Sequence, residues 1–558
     1  MDEIPRIPFA QTISTRDSTM MADAIMYNYF ATKNSDGRVF SERRFGFQSI
    51  YTAAPGMGLG LFQFKNSILS IIGTTFYVNG VSTGTVDNTS PYQFTLTGVG
   101  ATGVFLKNNT HAYTWDGSAL VQVTDANYPS VTAPGVAWLD GYVFVQTPGG
   151  ILANSNLNTP AVWGALNTIS GSLSSDNGAA ITRLYNYVVS FGVYSTTFFY
   201  DAGNSIGSPL LPNISAELNI GCAVGTSVVA SENTVFWIGQ THQKGRRVYM
   251  FEGLTPKPIS DEFIDKILNQ DSLNNVYAYY LEINGAALYV LTLTNSNCTL
   301  VYNLVSGMWS RWSSSSLGSS RVADSATQVG TKVIVVLPGH GFSNPTIVLV
   351  TSEDSAGMYR GVFVIDVIDV NTFSYTVGNV LIGGVSGGIN SSPINRLAIN
   401  NEFVISGVIG GLGTLTITPF VQNYFAPVYY AYANNIDYLL DVANGMTYIM
   451  QQDIANDNGN FIYGLLRTNA GDFGTNNQKF FPSLQIIADK VPAYAYLGYS
   501  DNDFYSYSSF RPISLNANRA LLRRCGAARR RAFCLLYYGG YAARFYQLEL
   551  PDLVVSSQ

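Results

Sequence analysis

Seven arginines crowd one late stretch of the chain: Arg519, Arg523, Arg524, Arg529, Arg530, Arg531 and Arg544, with no acid between the first and the last. Guanidinium groups at that density repel one another, and each forms planar, charge-assisted pairs with carboxylates or carbonyls, so the segment calls for acceptors from elsewhere. Interleaved Leu521, Leu522, Phe533, Leu535 and Tyr537 read as a sheet from which the arginines project toward a neighbouring protein surface. A plain solvated face is the alternative. Sequence-specific DNA binding is disfavoured, because no helix-turn-helix or zinc finger accompanies the arginines. The segment is +7 and the whole chain −6, which leaves −13 for the remainder, an acidic body with one basic patch.

Other reactive residues are scattered. His111, His242 and His340 form no HExxH or HxH cluster, and Cys222, Cys298, Cys525 and Cys534 show no CxxC spacing, so neither metal binding nor histidine catalysis is expected. The cysteines read as buried apolar residues. Asp453 with Asp457 and Asp501 with Asp503 lie in Asn- and Gly-rich loops, as turn formers or as a loop calcium site. Ser174–Gly178 begins like an Asp-box turn, but Ala180 and Ile181 stand where Thr and Trp lock that turn. Trp309 and Trp312 read as core-facing strand aromatics in preference to sugar platforms. With no GxxxxGK loop and no GxSxG elbow, the chain is expected to be no enzyme and to carry no cofactor.

Positioning these residues falls to strands. Of 558 residues only 12% are charged, while Gly (53), Tyr (36) and Phe (31) abound, which excludes charge-driven disorder and coiled coil. No stretch approaches the roughly 18 apolar residues of a membrane span, and the first residues lack a secretory n-region and h-region. Runs such as 67–72, 141–145, 187–191 and 234–238 each follow a turn signal, so the fold class is all-β. Strand pairs near 137–152, 183–201, 229–253, 281–303 and 428–450 recur at intervals of about 45 residues, the size of a four-stranded propeller blade. A stack of sandwiches is the alternative. A helix is expected over 259–270 with Ser260 as N-cap, and a second over Ser18–Phe30. Ser-rich 313–318 and Gly-rich 383–388 flank a separate run of strands. The expected plan is therefore a β-propeller over 1–322, an inserted small β-barrel over 323–388, the propeller's continuation over 389–478 and a C-terminal arginine-rich β module over 479–558.

Several colinear stretches resemble the packaged-DNA stabilization or tail-hub (nozzle) proteins of short-tailed bacteriophages. They are Asn28-Tyr29-Phe30 with Arg43-Arg44-Phe45-Gly46, then Leu139-Asp140-Gly141-Tyr142, then Ser195 to Gly203 including Asp201, then Phe236-Trp237-Ile238-Gly239. Tyr499-Ser500-Asp501 and Arg523-Arg524-Cys525-Gly526 continue the order. Phe45 and Thr197 stand where the family commonly has Pro and Glu. The inserted module, through His340-Gly341-Phe342 and Asn371-Thr372-Phe373, is similar to a small barrel of other phage virion proteins. The resemblance implies a virion-tail subunit made in the host bacterial cytoplasm. It implies a homo-oligomer, a hexameric ring, below the portal-adaptor (head-to-tail connector) ring, with tail fibres or spikes and a needle or plug as neighbours. The double-stranded genome would pass through without sequence-specific binding, retained until ejection. A receptor-binding or glycan-degrading tail propeller is the alternative.

Overall fold

The computed structural model describes the chain apart from residues 1–4, 14–23, 35, 52–55, 99, 174–175, 205, 232, 244, 318–319, 330–331, 343–345, 352–360, 377–395, 400–401, 406–414, 505–506, 509, 518 and 557–558. The chain divides into two compact units, one of Phe45–Ser313 with Tyr424–Ile454, the other of Met1–Arg44, Ser314–Asn423 and Ala455–Gln558.

The first unit is a seven-bladed propeller. Blade 1 is Gly58–Phe64, Ser67–Ile72, Thr75–Val78 and Val81–Thr85; blade 2 runs from Gln93–Thr97 to Leu120–Gln122; blade 3 from Ala137–Leu139 to Thr159–Ser170. Blade 4 runs from Gly178–Leu184 to Leu210–Pro212, blade 5 from Gly221–Cys222 to Thr255–Pro258, and blade 6 from Val276–Ile283 to Met308–Trp312. Blade 7 is built from both ends of the unit: Pro427–Ala433, Ile436–Asp441 and Thr447–Met450 are completed by Phe47–Tyr51, with Met450 opposite Phe47. The first strand of each blade lies beside the first strand of the next, and blade 7 returns to blade 1, so these strands form the innermost ring.

Blades hold together through apolar layers between neighbours. Leu69, Ile71 and Phe76 of blade 1 pack on Val104, Leu106 and Trp115 of blade 2, and Phe191 and Phe198 of blade 4 pack on Trp237 and Phe251 of blade 5. A middle strand is thus covered on both faces, which is why it reads as an unbroken apolar run. Trp309 and Trp312 are both buried, and Trp309 Nε1 donates to the Ile259 carbonyl. The helix is Glu262–Gln270, its Ile264 and Leu268 packed among blades 5 and 6. Asp261, not Ser260, caps it, accepting from Ile264 N at 3.0 Å. Ser260 is already committed, accepting from Val248 N and donating to Asp265.

The second unit gathers distant strands. Tyr29–Lys33, Val39–Arg43, Arg544–Glu549, Ser483–Ala488 and Arg519–Arg523 make one sheet, and Arg6–Pro8 pairs with Arg544–Glu549. Ile25–Tyr27, Gly464–Arg467, Ala532–Tyr537, Tyr494–Ser500 and Arg511–Ser514 pair in a second series. The inserted strands from Ser315–Leu317 to Thr372–Thr376, with Thr416–Gln422, surround one core of Val333, Val335, Val348, Val350, Ile365, Phe373 and Ile417, while Arg396–Ile399 and Glu402–Ile405 pair as a separate two-stranded sheet.

The boundaries drawn from sequence shift accordingly. Residues 1–44 leave the propeller because their strands pair with the chain's last strands, and only 424–454 of the expected continuation 389–478 belong to it. The insert extends beyond 323–388, since Thr416–Gln422 pairs with both Thr346–Thr351 and Ser315–Leu317. The Gly-rich flank 383–388 lies outside the described residues. Of the helix expected over Ser18–Phe30, residues 18–23 also lie outside, and Ile25–Tyr27 and Tyr29–Lys33 are strands. Ladder partners far away in sequence override the local pattern there.

Candidate functional site

The arginine segment is largely neutralised within the chain. Arg531, 1% exposed, grips Asp501 with Nε at 2.7 Å and Nη2 at 2.8 Å, donates Nη1 to the Cys525 carbonyl, and lies 3.7 Å from the Tyr499 ring centre and 4.2 Å from that of Phe481. Arg544 forks onto Asp489 at 2.8 and 3.3 Å, Arg519 meets Glu549 at 2.8 Å, and Arg530 lies 3.7 Å from Asp503. These four thus have carboxylate partners within the same unit, Arg531 buried and Arg519, Arg530 and Arg544 still on the surface. Exposed Arg523, Arg524 and Arg529 keep guanidinium groups with no partner among the described residues. The carboxylates that suggested a calcium loop are counter-ions: Asp501 and Asp503 face arginines, and Asp457 is buried against Arg44. Asp453 is exposed.

The early motif residues assemble a buried polar knot. Arg44 makes a two-pronged pair with Asp457 and donates Nε to Asn28 Oδ1 at 2.9 Å, while Asn28 Nδ2 donates to the Tyr463 carbonyl at 2.8 Å. Asn28 holds φ of 56°, a conformation asparagine tolerates better than most residues. Arg43 donates to the carbonyls of Gly539 and Ala455 and lies 5.1 Å from the Tyr537 ring centre. Tyr29 packs edge-on against Phe545. Burial pushes the Asp457 carboxyl up, opposed by the two arginines. In the propeller, Gly46 N donates to the Ile454 carbonyl at 2.7 Å, and Asp140 and Gly141, with φ of 49° and 94°, make the tight turn of a hairpin. Asp201 Oδ1 accepts from Gly203 N at 2.7 Å. Trp237 is buried, and a Cβ on Gly239 would stand 2.5 Å from the Tyr249 ring.

Sequence reasoning missed two features of the propeller. Lys107, at the end of a middle strand in blade 2, is wholly buried, and among the described residues its ammonium donates to Thr132 Oγ1 at 2.9 Å and to the Ala133 carbonyl at 2.7 Å. Burial brings its pKa down from 10.5 to about 7.

The second feature is a cleft of about 820 Å³ on one face of blades 3 to 5. Antiparallel strands put the loops after each blade's second strand and the blade-to-blade connections on that same face. Gly149, Tyr194 with Ser195, and Thr241 to Gln243 come from the loops; Asp176, Asn177, Asn219 and Ile220 come from the connections. Asp176 Oδ2 accepts from Tyr194 N at 2.7 Å, Ser195 N at 2.9 Å and Ser195 Oγ at 2.9 Å. Only a glycine at 192 allows this approach, for a Cβ there would lie 2.3 Å from the same oxygen. The remnant Asp-box carboxylate is thus a clamp on the turn that carries Tyr194, and its Oδ2 is taken up by three donors. Tyr194 stacks on His242 with ring centres 3.8 Å apart and planes at 24°.

Chemically, the cleft offers amides, hydroxyls and an aromatic pair in place of a nucleophile poised beside a base. No group of three or more His, Cys, Asp or Glu among the described residues could hold a metal ion, and no described helix is long and apolar enough to cross a membrane.

Residues 6–333 match the family described as bacteriophage P22 Gp10, β-propeller. Solved structures with some likeness include the computationally designed Ika8 protein, at 12% identity and a TM-score of 0.35 over 72% of this chain and 99% of that one. The N-terminal domain of Nup159 gives 10% and 0.33 over 77% and 99%, and BamB from Moraxella catarrhalis 12% and 0.26 over 64% and 96%. No curated protein matches the chain.

Proposed function

Because the chain belongs to the bacteriophage P22 Gp10 β-propeller family, it is a structural protein of the phage virion, and we propose that it is the hub, or nozzle, of a short tail. In this reading six copies form a ring that continues the DNA channel below the portal-adaptor ring, retains the packaged genome and conducts it during ejection. Fibres or spikes and a needle or plug are its neighbours, and it performs no catalysis.

The observation that carries the reading is the family match over most of the propeller. A charged content of 12% suits surfaces covered by neighbours. An acidic body suits a conduit that must release phosphates. The three unpaired guanidinium groups, Arg523, Arg524 and Arg529, are where carboxylates of an adaptor or adjacent copy would dock. A cryo-EM map of intact virions tests the assembly: a six-copy ring at the head-to-tail junction is expected, and one copy, twelve copies or a place at a fibre tip overturns it. Replacing the three arginines together by alanine should give filled heads that fail to retain the hub. Normal hub attachment in that variant would remove the docking assignment.

A further inference from the structure

We propose that the cleft on blades 3 to 5 binds a neutral saccharide. Among the described residues the lining contains neither Lys nor Arg, and its one carboxylate, Asp176, has its Oδ2 already occupied by three internal donors. Phosphorylated and sulfated ligands would therefore find no cationic partner among the described lining residues. What the cleft does offer is hydrogen bonding in both senses: the exposed side-chain amides of Asn177, Asn219 and Gln243 have no partner among the described residues. Each amide carries two donors and an acceptor, the complement of a ring of hydroxyl groups. Beside them stands an aromatic pair, Tyr194 under exposed His242, whose flat face suits the apolar C–H face of a pyranose.

The platform is held from beneath. Asp176 clamps the Tyr194–Ser195 backbone, Gln240 Nε2 donates to the Val193 carbonyl at 3.2 Å, and Thr196 Oγ1 donates to the Ile220 carbonyl at 2.7 Å. A ligand would meet a preformed surface and pay little to order it. The volume lies in the range of small-molecule sites. Every described lining residue comes from one copy of the chain, so the proposal is tested separately from the ring.

The test is saturation-transfer NMR on the purified full chain with methyl glycosides of neutral hexoses, deoxyhexoses and N-acetylhexosamines, and with heparin as the anionic comparison. Transfer to at least one neutral glycoside is expected at millimolar concentration. His242→Ala and Asn219→Ala should each weaken it by about tenfold or more, without moving the thermal midpoint, since both side chains are exposed. Gln243→Ala serves as a third exposed probe. Transfer to no neutral glycoside, binding that survives all three substitutions, or binding of heparin alone overturns the proposal.

Discussion

Lys107→Met asks how the propeller tolerates an amine that water cannot reach. With two acceptors and no carboxylate among its hydrogen-bond partners, the side chain has its pKa brought by burial from 10.5 to about 7. The unfolded chain keeps the ordinary value. Between those two pH values the unfolded state therefore binds one proton that the folded state does not, and stability rises with pH by about 1.4 kcal/mol per unit. Across the whole interval the difference is about 5 kcal/mol. Below the folded value both states are protonated and the slope vanishes. Methionine fills a similar volume and removes the titration, but it leaves the Ala133 carbonyl without its donor, at a pH-independent cost of about 1–3 kcal/mol. Urea unfolding of both chains, followed by tryptophan fluorescence at about pH 7.5 and about pH 9.5, isolates the effect because every other titration is shared. The gap between the chains should change by about 2.7 kcal/mol in favour of the wild type at the higher pH. Parallel stability curves would refute the account.

The remaining expectations concern packing and closure. Arg531→Ala leaves the buried Cys525 carbonyl without its donor and should cost about 1–3 kcal/mol, whereas exposed Arg529→Ala should stay within about 0.5 kcal/mol; equal effects in denaturant titrations would contradict the burial of Arg531. Gly239→Ala drives a Cβ to 2.5 Å from the Tyr249 ring and 3.0 Å from Trp237 Nε1, and a loss of about 1–3 kcal/mol is expected; an unchanged thermal midpoint would count against that packing. Ser49→Pro, in the strand that completes blade 7 opposite Tyr448, should make the propeller sensitive to limited proteolysis, and wild-type resistance would show the closure to be dispensable.

Local pattern carried much of the fold. Ser67–Ile72 is a strand with the bounds that its apolar run and the preceding Lys65-Asn66 turn indicate, and Tyr187–Gly192 differs from its expected end by one residue. Pairings with no local trace were illegible. Nothing in Phe47–Tyr51 says that its partner is Thr447–Met450, nor in Arg531 that Asp501 will neutralise it. The cap fell on Asp261 because Ser260 had tertiary partners that sequence does not display. Of the cleft, Asp176 and Asn177 stood out beforehand as part of a damaged Asp-box, while His242 and Ser195 were read without any link to a site. A usable signal was present, however: Gly149, Tyr194 and His242 follow the second strands of three successive blades at spacings of about 45 residues, the repeat already visible in the strands.

Closure of blade 7 by its earliest strand has a consequence for how the protein is born. Phe47–Tyr51 leaves the ribosome about 400 residues before Thr447–Met450, which at about 5–20 residues per second is a wait of roughly 20–80 seconds. Through that interval six blades can be complete while their circle stays open, and the inserted strands between Ser315–Leu317 and Thr416–Gln422 must all be synthesised first. The waiting strand presents unpaired backbone groups, the kind of edge that captures a neighbouring nascent chain. Infected cells making many copies at once on shared messages would thus depend on chaperones, or on slow initiation, to keep each circle from closing with another's strand.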